Sequence, residues 1–103
     1  MATSYQVIIV GAGPAGIFAA LELVRAGVDG ILLAEKGPDL PERRRLGRGV
    51  SMLSGWGGAG AYSDGKLALS TEIGGFMSRY CTPAELAALV EYVYETYLAF
   101  GAP

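Results

Sequence analysis

The stretch YQVIIVGAGPAGIFAALELVRAG, Tyr5 to Gly27, decides the fold. Tyr5 to Val10 is a β-branched run bounded by glycine, the pattern of a strand buried on both faces in a parallel sheet. From Pro14 onward Ile17, Ala20, Leu21 and Val24 fall at helical spacing. Pro14 suits a first helical turn and Gly27 a C-terminal cap, so a helix of about three turns follows the strand. Gly30 to Glu35 (GILLAE) is a second apolar run that ends in an acid. Tyr5 to Glu35 therefore reads as strand, helix, strand, one βαβ unit of roughly 30 residues.

Between the first strand and the helix lies Gly11-Ala12-Gly13-Pro14-Ala15-Gly16, in which each glycine has its own task. Gly11 permits a tight turn, Gly13 lets backbone approach a pyrophosphate, and Gly16 lets the helix lie against the strand. The pyrophosphate would sit at the helix N-terminus, where unpaired N–H groups and the positive end of the dipole offset its charge. Glu35 stands 19 residues after Gly16 at the end of the second strand. A carboxylate there accepts hydrogen bonds from both hydroxyls of an adenosine ribose. It also repels a 2'-phosphate, an exclusion that the adjacent Lys36 weakens, so NADP is disfavoured. A plain turn and a strand-ending acid would account for the same residues without a ligand; their joint placement in a βαβ unit points to a dinucleotide.

Outward from that unit the character changes. Lys36 to Arg48 contains Pro38, Pro41 and five of the eight positive charges, and reads as a polar connection. Its arginines Arg43, Arg44, Arg45 and Arg48 are either a cationic contact for phosphates or a solvated run. Gly47 to Lys66 holds seven glycines, too many for regular structure, and either lines a ligand with backbone N–H groups or forms a surface loop or buried turn. Thr82-Pro83-Ala84-Glu85 has capping-box spacing and opens a last helix with Leu86, Leu89, Val90, Val93 and Tyr97 as its stripe, ending at Gly101. The expected domains are a partial dinucleotide-binding domain over residues 1–80, glycine-rich loop included, and a helix over 81–103 that leads into a missing remainder.

The composition sets outer bounds. The 103 residues carry eight Lys plus Arg against ten Asp plus Glu, a net charge of -2 that argues against an electrostatic nucleic-acid binder. With 51% hydrophobic and 17% charged residues the chain is too apolar for disorder. No apolar run reaches the ~20 residues of a bilayer span, and the N-terminus lacks the basic region of a secretory signal, so the expected location is the cytoplasm. A single cysteine, Cys81, and no histidine exclude an internal disulfide, Cys-His catalysis and the usual zinc spacings; no metal is expected. Cys81 reads as a packing residue, Asp64 as half of an Asp-Gly turn, and Tyr92, Tyr94 and Tyr97 as packing or interface residues. Trp56 either shields a bound ligand or covers a cavity.

VIIVGAGPAGIFAALELVRAG, followed by LLAEKG, resembles the N-terminus of FAD-dependent oxidoreductases of the glutathione reductase-like superfamily, in which proline and alanine commonly occupy the positions of Pro14 and Ala15. GWGGAGAYSDGKL resembles more closely one group within it, the poorly characterised FAD-dependent dehydrogenases. That resemblance covers most of residues 5–70 and implies FAD as cofactor, with an arginine near Arg43 and the loop residues Gly58, Ala59, Gly60 and Ser63 beside it. The expected cofactor-binding set is therefore Gly11, Gly13, Pro14, Ala15, Gly16, Glu35, Lys36, Arg43, Gly58, Ala59, Gly60 and Ser63, and no catalytic side chain is assignable.

Members of the resembled group are several times longer, so the expectation is an α/β, Rossmann-like βαβ dinucleotide-binding unit that is incomplete, with a C-terminal helix. It would hold the adenosine and pyrophosphate of FAD in a flavin-dependent oxidoreductase acting on an unidentified small molecule. Its sheet would be completed by a missing domain or by self-association. A non-catalytic module, or an NAD-binding one, completed by a partner chain is the alternative.

Overall fold

A computed structural model describes residues 4–47, 52–62, 67–72 and 75–102. The chain divides into two compact units, Met1–Gly65 and Lys66–Pro103.

In the first unit, strand β1 (Val7–Val10) runs parallel to β2 (Ile31–Ala34), with Val7 opposite Ile31 and Val10 opposite Ala34. The ladder continues at both ends: the Gln6 N–H donates to the Gly30 carbonyl at 2.8 Å, and the Gly11 N–H to the Ala34 carbonyl at 2.7 Å. Parallel strands require a crossover, and here helix α1 (Pro14–Arg25) supplies it. At its C-terminus the Gly27 N–H donates to the Val24 carbonyl and the Val28 N–H to the Leu23 carbonyl, both at 3.0 Å. Gly27 there has a φ of 79°, the left-handed turn expected of a C-terminal cap. The whole is a partial dinucleotide-binding fold, α/β with one βαβ unit.

The strands are shorter than Tyr5 to Val10 and Gly30 to Glu35, and β1 is not buried on both faces. Val7 and Ile9 are half-buried, whereas Ile8 is 60% and Val10 87% exposed. The reason is the two-stranded sheet, since α1 packs on β1 and β2 from one side only. Among the described residues Ala12 and Leu86 are the buried apolar residues, at 0% and 9% exposure.

The segment expected to be an irregular polar connection contains a helix, α2 (Leu40–Leu46). Its prolines do not break it, because Pro41 lies in the first turn where no backbone N–H is needed. Asp39 caps it, accepting the Glu42 N–H at 3.0 Å. On the exposed face the Arg45 Nε donates to Glu42 Oε2 at 2.9 Å, and Glu42 is held below its ordinary pKa by that side-chain hydrogen bond. Ala59–Tyr62 forms a short 3-10 turn.

The second unit is built on helix α3 (Pro83–Ala99). Its start is the expected capping box: the Glu85 N–H donates to Thr82 Oγ1 at 3.2 Å and the Thr82 N–H to Glu85 Oε2 at 2.9 Å. Leu86, Val90 and Val93 of the expected stripe turn inward, while Leu89 and Tyr97 remain exposed. With Leu67, Ala68, Leu69, Met77 and Leu89 they line a shallow apolar groove of about 270 Å³. A 3-10 turn, Met77–Arg79, precedes the helix, and the Arg79 guanidinium lies 4.7 Å above the Phe76 ring.

Candidate functional site

The βαβ unit brings three expected features together: the glycine turn, the first turn of α1, and the acid that ends β2. Gly11 has a φ of +105°, a backbone conformation that side chains of L-residues rarely adopt. That turn aims the chain from β1 directly into α1. Gly16 then fills its expected role by close approach, because a Cβ there would lie 1.9 Å from the Gly11 carbonyl oxygen and 3.3 Å from Ile9 Cγ2. The turn and the helix can meet at this separation only if position 16 lacks a side chain.

Gly13 is the N-cap of α1, and no side chain caps the helix. Pro14 at the helix start has no N–H to leave unpaired, and a helix offers no internal acceptors to the N–H groups of Ala15 and Gly16. Pro14 and Ala15 are exposed and Gly13 is half-buried, so this turn is open to an external acceptor. A Cβ on Gly13 would meet only Gly58 Cα, at 4.0 Å, an ordinary contact. The fold itself therefore does not require glycine at 13, whereas it does at 16.

Glu35 is half-buried beside this turn. Its Oε1 accepts the Ala12 N–H at 3.0 Å and its Oε2 accepts the Gly37 N–H at 2.7 Å. The backbone donors Ala12 and Gly37 hold the carboxyl below its ordinary pKa against the opposing effect of desolvation, with smaller help from the Gly55 N–H and the Lys36 charge. The group is thus an anion with both oxygens oriented by backbone, and each oxygen keeps lone-pair capacity for a ribose hydroxyl. Lys36 is exposed next to it.

Ala12, at 0% exposure, is where these parts join. Its N–H goes to Glu35, and its carbonyl accepts the Gly57 N–H at 2.7 Å. The glycine-rich loop is thereby fastened to the fingerprint turn. The Trp56 N–H donates to the Pro38 carbonyl at 2.9 Å, and a Cβ on Gly58 would lie 3.2 Å from Gly13 Cα and 3.4 Å from Pro14 Cδ. Gly58 is half-buried in this position, and Ala59 and Gly60 lie exposed just beyond it. Ser63, together with Arg48, Asp64 and Lys66, lies outside the described residues.

The three consecutive arginines of α2 have three different environments. Arg44 is exposed, Arg45 pairs with Glu42, and Arg43 is 2% exposed. Arg43 Nη1 donates to the carbonyls of Trp56 at 2.7 Å and Gly58 at 2.8 Å, and Nη2 to that of Met52 at 3.2 Å. Hydrogen bonds of this charged type contribute roughly 1.5–3 kcal/mol each. Gly55 packs flat against the same side chain; a Cβ there would lie 2.5 Å from Arg43 Cδ. The guanidinium is thus directed into the loop rather than onto the open face of the turn.

Sequence reasoning missed Gly37 and left Gly55 and Gly57, though within the glycine-rich loop, out of the named cofactor-binding set. Gly37 donates to Glu35 and touches the loop so closely that a Cβ would lie 2.4 Å from the Gly55 nitrogen. Its placement two residues after the strand-ending acid was the available signal; the partners of Gly55 and Gly57 are distant in sequence and gave none.

Residues 4–53 match the model of a family described as an FAD binding domain, and FAD binding is what that match indicates. The chain is also 46% identical over 70 residues to an uncharacterized protein of Clostridium beijerinckii, a match covering 58% of this chain and 13% of the relative. The chain thus spans a small part of that relative's length. No solved structure matches it. Among the described residues no helix is long and apolar enough to cross a membrane.

Proposed function

We propose that this chain is the adenosine- and pyrophosphate-holding part of a flavin-dependent oxidoreductase of the glutathione reductase-like superfamily, akin to the poorly characterised FAD-dependent dehydrogenases. The observation that carries the reading is the pair of backbone bonds to Glu35. They lock the ribose-binding acid to Ala12 and Gly37, directly beside the uncapped first turn of α1. The residues fit the cofactor. Gly11 and Gly16 shape the turn, Gly13 leaves room for a diphosphate, and the N–H groups of Ala15 and Gly16 are its donors. Glu35 accepts from the ribose, Lys36 adds positive charge nearby, and Gly58, Ala59 and Gly60 border the remainder of the dinucleotide.

A bound FAD supplies the hydride chemistry through its own ring system. This chain binds the ligand, orients it through backbone N–H groups, and excludes an adenosine 2'-phosphate by the charge of Glu35. Catalytic groups, the substrate and the electron acceptor would belong to further protein, and the cytoplasm is the compartment we assign. The exposed apolar face of Ile8 and Val10 supports a further layer packed on the sheet, and its two-stranded extent supports completion by further strands, whether from a longer polypeptide, a partner chain or a second copy.

The test is titration of the folded chain with FAD, read by flavin absorption and fluorescence, with NAD as competitor. A saturable change in flavin fluorescence, with FAD bound more tightly than NAD, is expected. A folded chain that leaves FAD fluorescence unchanged rejects the proposal, and one that binds NAD in preference establishes the alternative module.

A further inference from the structure

We infer that Arg43 serves the dinucleotide site at one remove, as a positioning residue that folds the 52–58 loop onto the fingerprint turn, and not as a ligand of the phosphates. The inference rests on the site reading above, but its geometry is independent of any ligand.

Both hydrogens of Nη1 are committed, to the Trp56 and Gly58 carbonyls, and Nη2 reaches the Met52 carbonyl. At 2% exposure the guanidinium has no surface to offer a diphosphate. Three carbonyls gathered on one cation oblige the loop to curl around it, and Gly55 completes the enclosure by lying against Cδ and Nε. A planar fork of fixed donors achieves this; a lysine ammonium is compact, strongly hydrated and differently directed.

The curl has two consequences at the turn. It sets the Gly57 N–H on the Ala12 carbonyl at 2.7 Å and lays Gly58 against Gly13 and Pro14. It also draws the negative ends of the Trp56 and Gly58 carbonyl dipoles inward, away from a place an anion would occupy. Without Arg43 those carbonyls would seek donors elsewhere, including the first-turn N–H groups of α1 that a diphosphate needs.

Hydrogen exchange of the Trp56 and Gly57 amides in the ligand-free 103-residue chain, compared with FAD titration of the same samples, tests this. In Arg43→Met both amides should exchange at least about tenfold faster without any cofactor present, and FAD should bind at least about tenfold more weakly. Arg43→Lys should restore little of either. Unchanged exchange in the ligand-free variants, with FAD affinity lost in Arg43→Met and recovered in Arg43→Lys, would make Arg43 a direct phosphate contact and overturn the inference. If circular dichroism shows Arg43→Met to be unfolded, Arg43→Lys decides. It keeps the charge but not the planar fork of donors, so accelerated exchange supports the inference and wild-type exchange rejects it. A wild-type chain that ignores FAD sinks the proposed function alone, since the exchange data still report whether Arg43 holds the loop.

Discussion

Helices α1 and α3 begin in opposite ways. Each has proline in its first turn, but α3 satisfies its own N-terminus with the reciprocal Thr82 and Glu85 bonds, whereas α1 starts at Gly13 with no side-chain cap and glycines on both sides. A helix whose role is structural supplies its acceptors from neighbouring residues. One whose first turn receives a ligand leaves those N–H groups open and removes the side chains that would crowd them. The site of the first unit is accordingly assembled from long-range backbone contacts, while the start of α3 is settled within four residues.

The largest effect expected from probing this contrast is at Gly16. Gly16→Val puts a side chain into the Gly11 carbonyl, so the first unit should lose ~3 kcal/mol or more in chemical denaturation. A stable, folded variant would mean that α1 does not lie on the turn as described. Next is Gly13→Asp, which makes α1 begin as α3 does. The backbone at Gly13 is already extended, so the new cap should leave stability unchanged or raise it by a few tenths of a kcal/mol. FAD binding should nevertheless disappear, because the carboxylate takes the donors and repels the phosphates; retained binding would break the comparison.

Glu35→Gln should weaken FAD binding by about tenfold, as a charged acceptor of ribose hydroxyls becomes neutral. Its pH signature is distinct. Since folding lowers the Glu35 pKa from 4.5, its contribution to stability is fully present above that value and lost as pH falls through the lower folded pKa. Acid titration of unfolding should thus destabilise wild type more than Glu35→Gln, and parallel curves would remove the backbone-bonded carboxylate from the account. Thr82→Ala should cost about 1 kcal/mol in the second unit and leave FAD affinity unchanged. Arg45→Ala, which breaks an exposed pair beside the buried Arg43, should alter neither stability nor FAD binding measurably. An effect as large as that of Arg43→Met would return the arginine run to the role of a shared cationic surface.

The βαβ order, the start of α1 at Pro14 and the Thr82 capping box were all legible, because each depends on residues within a few positions of one another. Helix α2 was obscured by Pro38, Pro41 and the charge run, although Asp39 and Glu42 three residues on carried a capping signal. Burial of β1 was misjudged for a different reason: the pattern VIIV does not reveal how many layers cover it, and here α1 covers one face. The arginines show the same limit most sharply, since three identical neighbours have three environments and no local property selects Arg43.

By itself, the amino-acid sequence determined the crossover, the fingerprint turn and the acid that ends β2, since glycine tolerance, helical spacing and strand length act over a few residues. Only the tertiary structure decided that Glu35 is fastened to Ala12, that Gly16 is required by the fold while Gly13 is not, and that Arg43 is enclosed by the loop. Those outcomes depend on hydrogen bonds and close approaches between segments as many as 23 residues apart at Glu35, and the strength of such contacts is set by geometry that local propensity does not encode.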